Sequence, residues 1–286
     1  MDQAFWMSVR ENGYALPEGC DLASLSEELC VLLGDPDPVL RDELAYSTLA
    51  TWVSEGRYTA SALREMGQRM AANLRIGLGE HDTDSVFLRA FSVLILGEII
   101  ATDAQHARLP QAVIDAWRAE SLHYLGEEAD ERGFIPGRGW AHAAAHTADC
   151  LWAFANHPGT GADALRELLN SIADRVLRHG AQVFIHEEDE RLAFACLAAF
   201  RRQEISHRDI GRWCARFDTP PSGGTWFNDS REDAGARTYL NVKTFLRSLY
   251  LQLLWTDHPP QVRDAALECL LQTLRTIGTG LYSQPT

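Results

Sequence analysis

The stretch Asp84-Ser85-Val86-Phe87-Leu88-Arg89-Ala90-Phe91-Ser92-Val93-Leu94-Ile95-Leu96-Gly97-Glu98-Ile99-Ile100 decides the fold class. Asp84 can cap a helix here, and apolar residues occupy nearly all of its faces. A helix apolar all round belongs at the centre of a packed structure, and Glu98 within it then needs a partner. Outward from this stretch the periodicity stays helical. Asp21 can cap a helix through Leu25, Leu29 and Leu32. Pro38 opens one through Leu40, Leu44, Tyr46 and Val53. Thr59 or Ser61 starts the next, and Pro110 opens one through Val113, Trp117 and Leu122. Later helices are expected at about 162–177, 188–201, 207–216 and 259–277, with a regular amphipathic one through Leu240, Phe245, Leu249 and Leu253. Period-2 alternation and Asn-Gly or Asp-Gly hairpin turns are almost missing from the sequence.

About a dozen helices joined by short loops imply helix packed on helix, with sequence neighbours as antiparallel pairs. Pro38-Val39-Leu40-Arg41-Asp42 is echoed by Pro260-Gln261-Val262-Arg263-Asp264. In helical repeats of the HEAT kind a proline sets the first turn and an arginine bonds back to the preceding unit. The expected fold is all-α, an irregular α-α superhelix of HEAT or armadillo style. One domain, 1–286, is expected: N-terminal helices over 1–35, then a helical stack over 36–286 with an irregular loop at 219–235, where Pro220, Pro221, Gly223 and Gly224 cluster.

With 46% apolar residues in 286 the chain can build a sizeable core, and its net charge of −14 disfavours nucleic acid and anionic membranes as partners. The first residues carry no basic segment followed by an apolar one. The six cysteines are scattered without a C-x-x-C pair. Reduced thiols and a cytoplasmic location are the expectation.

Chemistry concentrates in Gly137-Arg138-Gly139-Trp140-Ala141-His142-Ala143-Ala144-Ala145-His146-Thr147-Ala148-Asp149-Cys150-Leu151. On a helix, His142, His146 and Asp149 fall at i, i+4 and i+7, on one face and among small alanines. With Gly139 as N-cap, His142 sits in the first turn, where the positive helix end favours a neutral imidazole. His-x-x-x-His can chelate one metal ion, so a divalent metal on His142 and His146 is a candidate cofactor. The competing reading is a helix-helix interface held by buried hydrogen bonds. Pro136-Gly137-Arg138-Gly139, leading into a helix start, could hold a carboxylate or phosphate; the alternative is a tight loop with Arg138 paired to an acid such as Asp130. His186 and Glu187 could complete a groove opposite the histidines. Equally, the acids from Glu187 to Glu190 and the arginines at 201 and 202 could simply complement a helix dipole. His157 and His258 look like helix C-terminal caps. No G-x-S-x-G, P-loop or dinucleotide-binding glycine pattern is present.

Four segments occur in order: Arg41-Asp42-Glu43-Leu44-Ala45-Tyr46, Asp84-Ser85-Val86-Phe87, Gly139-Trp140-Ala141-His142 continuing to Asp149, and Phe245-Leu246-Arg247-Ser248-Leu249-Tyr250. With them the chain resembles the bacterial domain of unknown function 2785 family over roughly 38–254. The resemblance implies a cytosolic, all-helical domain and brings no established activity. Two functional classes follow from the residues. One is a binding module whose Trp140/His142/His146/Asp149 face receives a peptide, protein or small ligand, with Asp130, Arg138, His186 and Glu187 as further contacts. The other is a metal-dependent or histidine-based enzyme, a hydrolase or modifying enzyme. In it His142, His146 and Asp149 would be catalytic and Arg138 would bind an anionic group.

Overall fold

The structure, a computed structural model, describes residues 1–278; positions 279–286 of the expected domain lie outside the described residues. The fold is all-α. Thirteen α-helices and one two-stranded hairpin are present among the described residues. The chain divides into two compact units, one ending at Gly159 and the other starting at Thr160.

The first unit is built around α5 (Ser85–His106), the helix that contains the apolar stretch. Phe87, Val93, Ile95, Leu96, Ile99 and Ile100 are all fully buried. This helix is long and apolar enough to cross a membrane, yet most of its apolar window is covered inside the fold. Against it lies α7 (Ala143–Asn156), and these two helices pack along more of their length than any other described pair. Gly97 makes the approach possible. A Cβ there would stand 3.0 Å from the Cα of Cys150, so backbone meets backbone at the crossing.

The far ends of both helices are tied together. Asp103 Oδ1 accepts the amides of Arg108 and Leu109, satisfying the backbone where α5 turns at Ala107 (φ +48°). Asp103 Oδ2 lies 3.2 Å from Nε2 of His157, the residue that ends α7. Gly159 N–H donates to His157 Nδ1, which leaves the proton on Nε2, facing the carboxylate. His157 is a helix-end residue as expected, and it also joins two helices.

Asp21 and Thr59 cap α2 (Leu22–Leu32) and α4 (Ala60–Asn73) through their side chains, as their positions imply. Asp84 holds the N-cap place of α5 without a capping bond and pairs with Arg138 instead. Pro38 does not open an α-helix. It opens a π-helical segment, Val39–Tyr46, followed by α3 (Ser47–Ser54). The physical reason lies in Arg41, which is fully buried. Its guanidinium donates to the carbonyls of Asp35 (2.8 Å) and Arg138 (2.8 Å) and lies over the rings of Phe87 and Phe91. The wide turn goes with this inward-drawn side chain.

In the second unit α12 (Asp233–Trp255) packs on α9 (Glu188–Arg201) and α13 (Arg263–Ile277), with α8 (Ala162–Val176) and α10 (His207–Cys214) alongside. The stretch 219–235 is more ordered than its prolines and glycines imply. It contains α11 (Trp226–Asp229) and the first residues of α12. Trp226 supplies the reason: its ring is buried and its indole donates to the Phe217 carbonyl at 2.8 Å, pinning the segment.

Substituting Gly97→Val should force α5 and α7 apart and destabilise the protein by about 2–3 kcal/mol. Gly211→Ala, within α10 and with nothing near the added Cβ, should be neutral or stabilise by up to about 1 kcal/mol. Urea unfolding of both variants checks this. A Gly97→Val protein as stable as the parent would contradict the close crossing.

Candidate functional site

The helix bearing the histidines begins later than its sequence implies. Phe134–Ile135 (β1) and Gly139–Trp140 (β2) form an antiparallel hairpin, so Gly139 belongs to a strand and caps no helix. Gly139 is required for two reasons. Its φ is +75°, and a Cβ would fall 2.8 Å from Pro38 Cβ and 3.1 Å from Arg41 Nη2. The hairpin is thereby seated on the π-helical segment. His142 then occupies the N-cap position of α7 in the left-handed region (φ +53°, ψ 33°), a conformation costing a non-glycine residue about 1 kcal/mol or more. Neighbouring backbone holds it there: His142 N–H donates to Arg132 O (3.0 Å), Ala141 N–H to Gly133 O (2.9 Å), and His142 O accepts from His146 N–H (2.9 Å).

This placement aligns a ladder of rings. Phe134 meets Trp140 edge-on at 5.2 Å between centroids. Trp140 stacks on His142 at 4.7 Å, and His142 meets His146 at 5.6 Å. His146 then meets Phe91 of α5 at 5.0 Å, and Phe91 meets Tyr46 of the π-helical segment at 6.1 Å. Tyr46 closes the series by donating its hydroxyl to Glu98 Oε1 at 3.0 Å. The partner that Glu98 needed is therefore a tyrosine from another element. His142 and His146 are only 5% and 7% exposed, while Phe134 (50% exposed) and Trp140 (38%) form the outer end of the ladder. Asp149 is half-buried, one turn along from His146.

Burial sets the electrostatics. The Glu98 carboxyl is pushed above the usual range, against the Tyr46 hydrogen bond that favours its charged form. The Cys150 thiol, fully buried at the α5–α7 crossing, is raised to about 12; Asp149 and Glu98 both add to that rise, so both carboxylates lie within electrostatic reach of one sulfur. On the π-helical segment, burial lifts Asp42 to about 6, although Arg41 Nε stands 2.7 Å away. Among the described residues no three His, Cys, Asp or Glu side chains converge in a way that could hold a metal ion.

The other residues singled out in the sequence have partners of their own. Asp130 is buried and accepts from Arg132 at Nε (2.8 Å) and Nη2 (2.5 Å). Arg132 also donates to Thr83 O, while Arg89 grips Glu128 with two hydrogen bonds (2.6 and 3.0 Å) and Glu128 accepts from Asp130 N–H. The acidic loop is thus a charge network that anchors the hairpin. Arg138 pairs with Asp84, and the segment Pro136–Gly139 turns a hairpin instead of meeting a helix start, so the anion-binding geometry is not formed there. His186 and Glu187 belong to the second unit. His186 N–H donates to Glu188 Oε2 at 2.9 Å, and Glu187 (φ +66°) holds the N-cap place of α9.

A family model described as "Protein of unknown function (DUF2785)" matches residues 74–251. The chain belongs to this family. No curated protein and no solved structure matches it. The DUF2785 match takes in Phe91, Glu98, Trp140, His142, His146 and Asp149 and leaves out Arg41, Asp42 and Tyr46. The ring ladder of this DUF2785 protein is therefore closed by a segment outside the matched stretch. Tyr46 and Phe91 were hidden in the sequence because both read as ordinary core positions of helices. The available signal was Glu98, a lone acid in an apolar run.

Asp42 provides a pH readout. Its folded pKa of about 6 exceeds the ordinary 3.8, so the folded state holds the extra proton between those values. The stability this carboxyl contributes is greatest below pH 3.8 and is lost as pH rises through 6. Carboxyl ¹³C NMR, assigned with Asp42→Asn, should show a midpoint near 6 for Asp42. A midpoint near the ordinary value would contradict its burial.

Proposed function

We propose that this chain is a binding module of the helical-repeat kind, with the Trp140/His142/His146/Asp149 face as the floor of its ligand site. Glu98 and Tyr46 extend that floor. The observation that carries the reading is the stacked ladder. An exposed indole backed by buried rings offers a rigid flat surface at little entropic cost, and half-buried carboxylates lie on the same two helices. A small ligand or peptide side chain would lay its flat or apolar face on Trp140. Its N–H or O–H groups would donate to Glu98 and Asp149. His142, strained and ringed by aromatic contacts, holds the indole in place.

The helical-repeat part of the proposal rests on the two proline-arginine echoes. Arg41 bonds back to Asp35 O, just beyond α2. Arg263 bonds back to Leu253 O (2.9 Å) and Leu254 O (3.0 Å) at the end of α12. Arg263 thereby satisfies carbonyls that the last turn of α12 leaves open, and Arg41 satisfies a loop carbonyl that follows α2.

A panel of small polyols, amines and amino-acid amides, screened by thermal shift and calorimetry, tests the reading. At least one compound should raise Tm saturably. Trp140→Ala and Glu98→Gln should each weaken it about tenfold, and Trp255→Ala should leave it unchanged. A panel in which no compound's binding is weakened by either site variant would overturn the proposal. Conversion of a bound compound to product would move the face to the enzyme class.

A further inference from the structure

A cavity that shares no lining residue with the ring ladder lies between α2 and α4. It is an open cleft of about 430 Å³ whose lining includes Leu22, Ser26, Cys30, Tyr58, Glu65 and Met66. The volume falls within the range of small-molecule sites, about 300–1,000 Å³. Every lining residue precedes the stretch matched by the family model, so the cleft is a feature of this chain's own N-terminal helices.

The floor is apolar. Leu22, Ala23 and Cys30 contribute from α2, Ala62 and Met66 from α4. Hydrogen counting fixes the polar character of the wall. Ser26 Oγ donates to Leu22 O at 2.7 Å, so its only proton is used. At the 2.8 Å contact between Ser26 Oγ and the Tyr58 hydroxyl, tyrosine must therefore be the donor. That leaves the oxygen of Tyr58, a residue only 5% exposed, with acceptor capacity alone. The rim has the same sense. Of its two arginines, Arg69 pairs with Glu27 at 2.5 Å and Arg57 pairs with Glu55 at 2.6 Å. Asp21 and Glu65 lie on the rim with no cation paired to them among the described ion pairs: Asp21 accepts from Ser24, and Glu65 from Ser61. An apolar trough with surplus acceptors and negative charge at its edge selects its occupant by chemistry.

We propose that this cleft binds a small organic cation: an ammonium group that donates to Glu65 and the Tyr58 oxygen, on an apolar body that lies against Ala62 and Met66. The site is independent of the Trp140 face.

Titration with 4-phenylbutylamine tests it, with 4-phenylbutanol and 4-phenylbutyrate as neutral and anionic counterparts and the Met66 methyl resonance as readout. The amine should shift that resonance saturably and bind about tenfold more tightly than either counterpart. Glu65→Gln, at an exposed position, should remove most of the amine's advantage, and Ala62→Phe should fill the trough and abolish the shift. Trp140→Ala should leave the titration unchanged, which separates this site from the ring ladder. Equal binding of all three compounds, preference for the carboxylate, or no saturable shift at Met66 would overturn the proposal.

Discussion

The first unit depends on one close approach, the backbone contact of α5 and α7 at Gly97 and Cys150. Two helices that touch at so short a range need a residue without a side chain at the crossing, and they exclude water from whatever flanks it. Glu98 follows Gly97, and Asp149 precedes Cys150. The crossing therefore determines where both carboxylates emerge and how strongly burial acts on them. It also brings Phe91 of α5 to His146 of α7, the central contact of the ring ladder. At the other end of the same pair, Asp103 and His157 hold the helix termini together.

The hairpin and its charge network serve this arrangement from the outside. Arg41 is buried beneath the hairpin turn and bonds to the Arg138 carbonyl, while Arg132 and Asp130 hold the strand leading into it. With the hairpin fixed, the chain reaches α7 through a left-handed His142, and the Trp140 ring is laid on the imidazole. Buried ion pairs such as Arg89–Glu128 add little net stability over apolar packing of the same shape, yet breaking one partner is costly. Their contribution here is positional: they allow one arrangement of the loop and with it one position of Trp140.

The all-α class was legible because α5 is apolar on every face and because helical period recurs along the chain. Individual caps, Asp21 and Thr59, were legible for the same local reason. What the sequence concealed was non-local. The π-helical segment follows from the burial of Arg41 against a carbonyl 97 positions away, which no local pattern carries. Glycines at 137 and 139 suit a helix entrance and a hairpin turn equally well, and only contact with Pro38 separates the two. The grouping of Trp140, His142 and His146 was readable from spacing. Tyr46 and Phe91 were not, because tertiary packing alone brings them to that face; Glu98 stood out only as a lone acid in need of a partner.

In the proposed site Trp140 is the surface that meets a ligand. With 5-fluorotryptophan in all eight tryptophan positions, ¹⁹F NMR reports each indole separately once single substitutions assign the lines. On titration with a compound that raises Tm, the Trp140 resonance should move first, while buried Trp52 and Trp117 and exposed Trp255 stay in place. In the Ala62→Phe protein, whose α2–α4 cleft is filled, a shift confined to Trp255, or a bound compound that leaves the Trp140 line unmoved, would contradict it.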